Sequence, residues 1–227
     1  MTISNDSRTR VKKAFEPIAL GMGRLGFTPD ALTLTGFAIT AVGAVLVSQQ
    51  LWLAGGLVVF VGGVFDMFDG TLARATGKVS KLGAFMDSVF DRWGEMLVYV
   101  GIIAGCAFAG FVEGAILGAA AMGSAFMVSY TRAKSEGLGF TAGTGMAAVG
   151  VMPREVRLVI LSLGLVLAPV PIYEAVPAGT ACAGPCELQG GTLLGALAVI
   201  AVGATITVIQ RILHVRSQAH PQSTHSQ

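Results

Sequence analysis

In a chain of 227 residues, 53% are apolar and only 12% are charged, with a mean hydropathy of +0.72. That charged fraction is about half of what a soluble globular domain carries, so the composition points instead to an all-α integral membrane protein. A net charge of +2 is too small to argue for nucleic acid, and no nucleic-acid partner is expected.

The chain opens with the polar run "MTISNDSRTR", and no short apolar core with a small-residue cleavage site follows, so a signal peptide is not expected. The next stretch, "RVKKAFEPIALGMGRLGFTPD", mixes basic residues with Phe15, Ile18, Leu20, Met22 and Leu25. It reads as an amphipathic helix lying in the cytoplasmic interface, with a solvated basic leader as the alternative. Residues 1–29 therefore form an N-terminal cytoplasmic segment.

Six apolar segments then follow that are long enough to cross a bilayer, near residues 31–48, 51–73, 84–109, 112–134, 154–170 and 191–213. With a cytoplasmic N-terminus, all fifteen Lys and Arg fall on or near the cytoplasmic face, and the three opposite connections carry none. This asymmetry predicts six transmembrane helices with both termini in the cytoplasm, in a domain over 30–215 within the cell membrane. The polar end, 216–227, reads as a disordered tail. Cys106 lies in an apolar run and reads as a packing residue. Cys182 and Cys186, in the loop placed outside, are either plain loop thiols or a local disulfide.

Two pairs of acids interrupt this pattern. Asp66 and Asp69 are three apart on the second span, and Asp87 and Asp91 are four apart on the third, so each pair shares a helix face. Both pairs lie near cytoplasmic helix ends joined by a short loop, and the two faces can converge. Four carboxylates in one pocket repel unless cations compensate them, and hard divalent ions with oxygen ligands do this best. Two such ions could share the four groups. Salt bridges to Arg74 and Arg92, or a proton relay, are the alternatives. Gly70 and Gly83 remove side chains beside the acids, where a ligand could approach.

The string D-x-x-D-G-x-x-A-R, eight residues, then G-x-x-x-D-x-x-x-D resembles the signature of the CDP-alcohol phosphatidyltransferase family. It is matched at Asp66, Asp69, Gly70, Ala73, Arg74, Gly83, Asp87 and Asp91. The resemblance implies transfer of a phosphatidyl group from a CDP-linked lipid to an alcohol, with release of CMP. It implies Mg²⁺ or Mn²⁺, two ions, held by Asp66, Asp69, Asp87 and Asp91, with Asp91 also the general base. It places Gly70, Ala73, Arg74 and Gly83 in the CDP pocket with Asp66 and Asp69. Asp30 and Thr33, in "TPDALTL", match positions that contact nucleotide or metal, although Asn is common where Asp30 stands. A homodimer is also implied.

A second, cationic set bears on the acceptor: Arg132, Lys134, Arg154, Arg157 and Arg211. Positive-inside decoration accounts for any one of them. Together they suit an acceptor that already carries a phosphate. "GAFMDSVFDR", "SYTRAKSEG" and "VIQR" are most similar to the branch that joins CDP-diacylglycerol to inositol phosphate, in which Lys134, Arg154 and Arg211 match acceptor-binding positions. An ether-lipid donor is open on the sequence. Glycerol 3-phosphate is the alternative acceptor, as in phosphatidylglycerophosphate synthesis. A cation transporter using the four Asp as its ion site, and an aspartate-rich prenyltransferase, are the readings from other classes.

Overall fold

The computed structural model describes residues 16–140, 149–168, 172–173, 187–188 and 191–219. Its helices are α1 (16–24), α2 (Pro29–Ser48), α3 (Trp52–Ala75), α4 (Lys81–Phe108), α5 (Val112–Gly137), α6 (Arg154–Leu167) and α7 (Gly191–Ala219). Between α6 and α7, in the stretch expected as loop, β1 (Ile172–Tyr173) and β2 (Glu187–Leu188) form an antiparallel ladder pairing Ile172 with Leu188 and Tyr173 with Glu187. Cys182 and Cys186 lie outside the described residues. Cys106 is buried and packs as expected.

Among the described residues, α2, α3, α5 and α7 are long and apolar enough to cross a membrane. The chain thus has the helices of an integral membrane protein. The other two expected spans differ for separate reasons. Helix α4 is 28 residues long, but its first fifteen residues carry Lys81, Asp87, Asp91, Arg92 and Glu95. Helix α6 has 14 residues, a rise of about 21 Å against a hydrocarbon core of about 30 Å. Helix α7 continues to Ala219, past the point at which the polar tail was expected to begin.

The helix ends follow local chemistry. Thr28 caps α2, its hydroxyl accepting from Ala31 N at 3.2 Å, with Pro29 in the first turn and Asp30 beside it. A tight turn at Gln49 and Gln50 joins α2 to α3, with Gln50 in the left-handed region at φ 64°. Helix α3 stops before Gly77, at φ 66°, as Lys78 N donates back to Ala73 O at 2.9 Å.

The chain divides into two compact units, Met1–Gly101 and Ile102–Gln227. In the first, α2 and α3 form an antiparallel hairpin held by glycines seven residues apart on each helix. A Cβ at Gly36 would lie 3.3 Å from Gly62 O, and one at Gly62 would lie 3.1 Å from Gly36 O. Gly43 and Gly55 oppose each other in the same way, at 3.3 and 3.1 Å. With no side chain between them, the two backbones touch, and dispersion replaces the hydrophobic drive that lipid cannot supply. Helix α4 joins through Gly94, against Thr40, and Gly101, against Ala44, while Phe37 meets Phe90 edge to face at 5.0 Å.

Helix α1 packs on the α2–α3 pair through Ala19 and Met22, which meet Leu32, Phe68 and Leu72. Ile18, Leu25 and Phe27 stay exposed. In the second unit, α5 and α6 each pack on α7, with a core of Val128, Met152 and Ala204.

Candidate functional site

The glycine seams fix where the acids lie. Asp69 is seven residues beyond Gly62, itself seven beyond Gly55, so Asp69 continues the α3 seam that faces α2. Asp87 is seven before Gly94 and fourteen before Gly101, the residues by which α4 packs on α2. Both acids are thereby carried on the inward faces of their helices. Carboxylate oxygens of Asp66, Asp69 and Asp87 all lie within 4.8 Å of one another. Three anionic oxygens so close fit a hard divalent cation, whose ligands are oxygens.

Asp69 is the most enclosed of the three at 5% exposure. Its Oδ2 accepts from the Thr33 hydroxyl at 2.5 Å, and its Oδ1 accepts from Gly70 N. Asp91 stands one turn further along α4 and is outside this trio. Its Oδ2 lies 3.2 Å from Arg92 Nη1, which also donates to Ser88 O at 3.0 Å. The convergence of Asp66, Asp69 and Asp87 agrees with the spacing argument, while Asp91 is held apart beside a cation.

The expected nucleotide residues surround this cluster. The Arg74 guanidinium covers Gly70, where a Cβ would lie 3.3 Å from Nη1, and Nη2 donates to Thr71 Oγ1 at 3.4 Å. Ala73 is half-buried and Arg74 exposed. Exposed Asp30 reaches the start of α4, its Oδ1 lying 3.6 Å from a Cβ placed on Gly83. Gly83 N donates to Ser80 Oγ at 2.9 Å, which caps that helix. Thr33 is buried against Asp69.

The cationic residues belong to the second unit and divide into two groups. Arg132 and Lys134 are exposed near the end of α5, and Arg132 Nε pairs with Glu136 at 2.9 Å. Arg154 opens α6 and is half-buried. By contrast Arg157 is 1% exposed and donates from Nη1 to Met152 O at 3.1 Å. Arg211 is 4% exposed, with Nε donating to Val149 O at 3.0 Å and Nη1 to Val128 O. Arg132 and Arg157 lie within electrostatic reach of Arg211, as does Glu136.

Sequence reasoning passed over the residues that organise these groups. Thr207 Oγ1 accepts from Met152 N at 3.0 Å and donates to Gly203 O at 2.9 Å, holding the segment before α6 against α7. Gly150, at φ 120°, is pressed on the same threonine. No local pattern marks Thr207. The seven-residue spacing of Gly36 and Gly43, and of Gly55 and Gly62, was visible and would have marked the helix seam.

The family described as CDP-alcohol phosphatidyltransferase matches residues 27–202. The archaetidylinositol phosphate synthase of Pyrococcus horikoshii is 38% identical over 154 residues, 68% of this chain and 77% of its own length. The phosphatidylinositol phosphate synthase of Mycolicibacterium smegmatis is 32% identical over 215 residues, covering 93% of this chain and 87% of its own. Among solved structures, the Mycobacterium tuberculosis phosphatidylinositol phosphate synthase with CDP-DAG bound aligns with a TM-score of 0.72 at 29% identity, over 89% of this chain and 94% of that one. The same protein in complex with manganese and citrate aligns equally well, with a TM-score of 0.72 at 29% identity over 89% of each chain.

Proposed function

The chain belongs to the CDP-alcohol phosphatidyltransferase family, and we propose that it transfers a phosphatidyl group from CDP-diacylglycerol to inositol phosphate and releases CMP. The observation that carries this reading is the trio of Asp66, Asp69 and Asp87 at the end of the glycine-closed hairpin. These three, with Asp91 at the edge, would hold two Mg²⁺ or Mn²⁺ ions. Such ions, when bound, neutralise charge on pyrophosphate oxygens.

The chain's own residues account for the remaining steps. Gly70, Ala73 and Gly83 leave space for the nucleotide, Asp30 and Thr33 border it, and Arg74 pairs with phosphate. Arg132, Lys134 and Arg154 receive the acceptor's phosphate, with Arg157 and Arg211 adding positive charge behind them. Asp91 takes the proton from the acceptor hydroxyl. That oxygen bonds to the lipid-side (β) phosphorus, and the bond from this phosphorus to the oxygen of CMP breaks. The six-span topology, cytoplasmic termini, a cytoplasm-facing site in the cell membrane and a homodimer complete the proposal. All fifteen cations on one side support that orientation.

A second reading concerns the donor tails. The Pyrococcus relative is named for an archaetidyl product, which favours an ether-lipid donor as the variant to test. Glycerol 3-phosphate as acceptor, and cation transport, are not favoured by relatives with these names. The test is acceptor and donor profiling with purified protein, Mn²⁺ and matched diacyl and diether CDP-lipids. CMP release that requires inositol phosphate is expected. Turnover with glycerol 3-phosphate but not with inositol phosphate would overturn the acceptor assignment.

A further inference from the structure

Thr33 belongs to α2, which supplies none of the three clustered acids, yet its hydroxyl donates to one of their carboxylates, that of Asp69. Its hydroxyl is 2.5 Å from Asp69 Oδ2 and 3.2 Å from Pro29 O, and the residue is 5% exposed. A hydroxyl has a single proton to donate. The shorter contact and the stronger acceptor are both on the carboxylate, so the proton goes to Asp69. Because Gly70 N donates to the other oxygen, Asp69 is gripped at both ends. Neither donor can move away easily. Gly70 is part of α3 itself, and Gly36, one turn beyond Thr33, sits against Gly62 O and Asp66 N.

The geometry points to Thr33 as a positioning residue: its hydroxyl fixes the Asp69 carboxylate in the orientation that offers its remaining lone pairs to a divalent cation shared with Asp66 and Asp87. This differs from the direct nucleotide or metal contact that the family resemblance implies for Thr33, and it rests on the metal-site part of the proposed function. A carboxylate oxygen has lone pairs to spare, so accepting from Thr33 does not remove Asp69 as a ligand. It removes the rotation by which Asp69 would escape its two neighbours. Such outer partners of metal ligands matter because they make the geometry before the ion arrives.

The test uses the full chain in detergent and reads free Mn²⁺ by electron paramagnetic resonance, with no substrate present. Thr33→Val keeps the shape and loses the donor, Thr33→Ser keeps the donor, and Thr33→Cys keeps a weak one. Weakening of Mn²⁺ binding by about 10- to 100-fold is expected for Val, an intermediate loss for Cys and near-complete rescue by Ser. As Mn²⁺ is raised toward saturation, the KM for the CDP-lipid should fall toward that of the unsubstituted chain in all three. Unchanged Mn²⁺ affinity across the series, with a raised CDP-lipid KM, would overturn the positioning role in favour of direct nucleotide contact. If Val does not fold, the order of Ser above Cys decides instead, and equal affinities there would overturn it. Failure to use inositol phosphate leaves the Mn²⁺ series intact. Failure of the unsubstituted chain to bind Mn²⁺ would overturn the metal site and this role together.

Discussion

The acidic end of the first unit and the cationic end of the second bury charge in opposite ways. Around Asp69 the donors are a hydroxyl and an amide, and two further carboxylates stand within 4.8 Å. Neutral donors do not cancel the charge of Asp69, and three carboxylate oxygens this close suit a divalent cation. Arg157 and Arg211 donate to the backbone carbonyls of Met152, Val149 and Val128, and exposed Arg132 pairs with Glu136. Carbonyl dipoles hold these guanidinium groups without removing their charge, which suits an end proposed to receive an anion. On the proposed function one end holds metal and the other phosphate, and each uses uncharged groups to set geometry without spending charge.

The sharpest way to break this contrast is at Asp91, the acid outside the trio. Asp91→Asn should lower turnover by about 10²- to 10⁴-fold, the range for loss of a general base, while Mn²⁺ and CDP-lipid binding persist. Near-normal turnover would return Asp91 to a purely structural role. Asp66→Asn acts on the trio itself. It should raise the Mn²⁺ needed for half-maximal rate by more than the about tenfold lower bound expected of Thr33→Val. A loss of rate that added Mn²⁺ does not recover at all would contradict that ligand role.

Two smaller changes probe the supports. Gly62→Ala places a Cβ into the Thr40 hydroxyl, 3.1 Å from Gly36 O. Overpacking there should cost about 1–3 kcal/mol of stability in a thermal melt and weaken Mn²⁺ binding as the hairpin opens. On the cationic side, Thr207→Val removes the acceptor for Met152 N. A loss of about 1–3 kcal/mol is expected. The KM for inositol phosphate should rise and that for CDP-lipid hold, since the strap leads into Arg154. Glu136→Gln should change least, within about 1 kcal/mol, because its pair with Arg132 is exposed. A large shift in acceptor KM from that variant would mean that the pair restrains Arg132.

The sequence was most informative where the governing interactions are local. Apolar run lengths placed the helices to within a few residues, and the three- and four-residue spacings of the acids correctly brought Asp66, Asp69 and Asp87 together. Asp91 shares a face with Asp87, but a face is broader than a coordination sphere, and Arg92 next to it competes for its oxygen. Burial of Arg157 and Arg211 was not legible, because it depends on carbonyls from other segments, as far off as Val128. The ladder of Ile172–Tyr173 with Glu187–Leu188 was missed for a similar reason: two residues are too few to show alternation.

The most direct test of the account couples product formation to the metal. Purified chain reconstituted with CDP-diacylglycerol and Mn²⁺ is given radiolabelled inositol phosphate, and CMP and labelled lipid are counted together. The account predicts one CMP for each inositol phosphate incorporated, with both signals lost on chelation and restored by added Mn²⁺. Label entering lipid at an undiminished rate after chelation, or CMP released without any label in lipid, would contradict it.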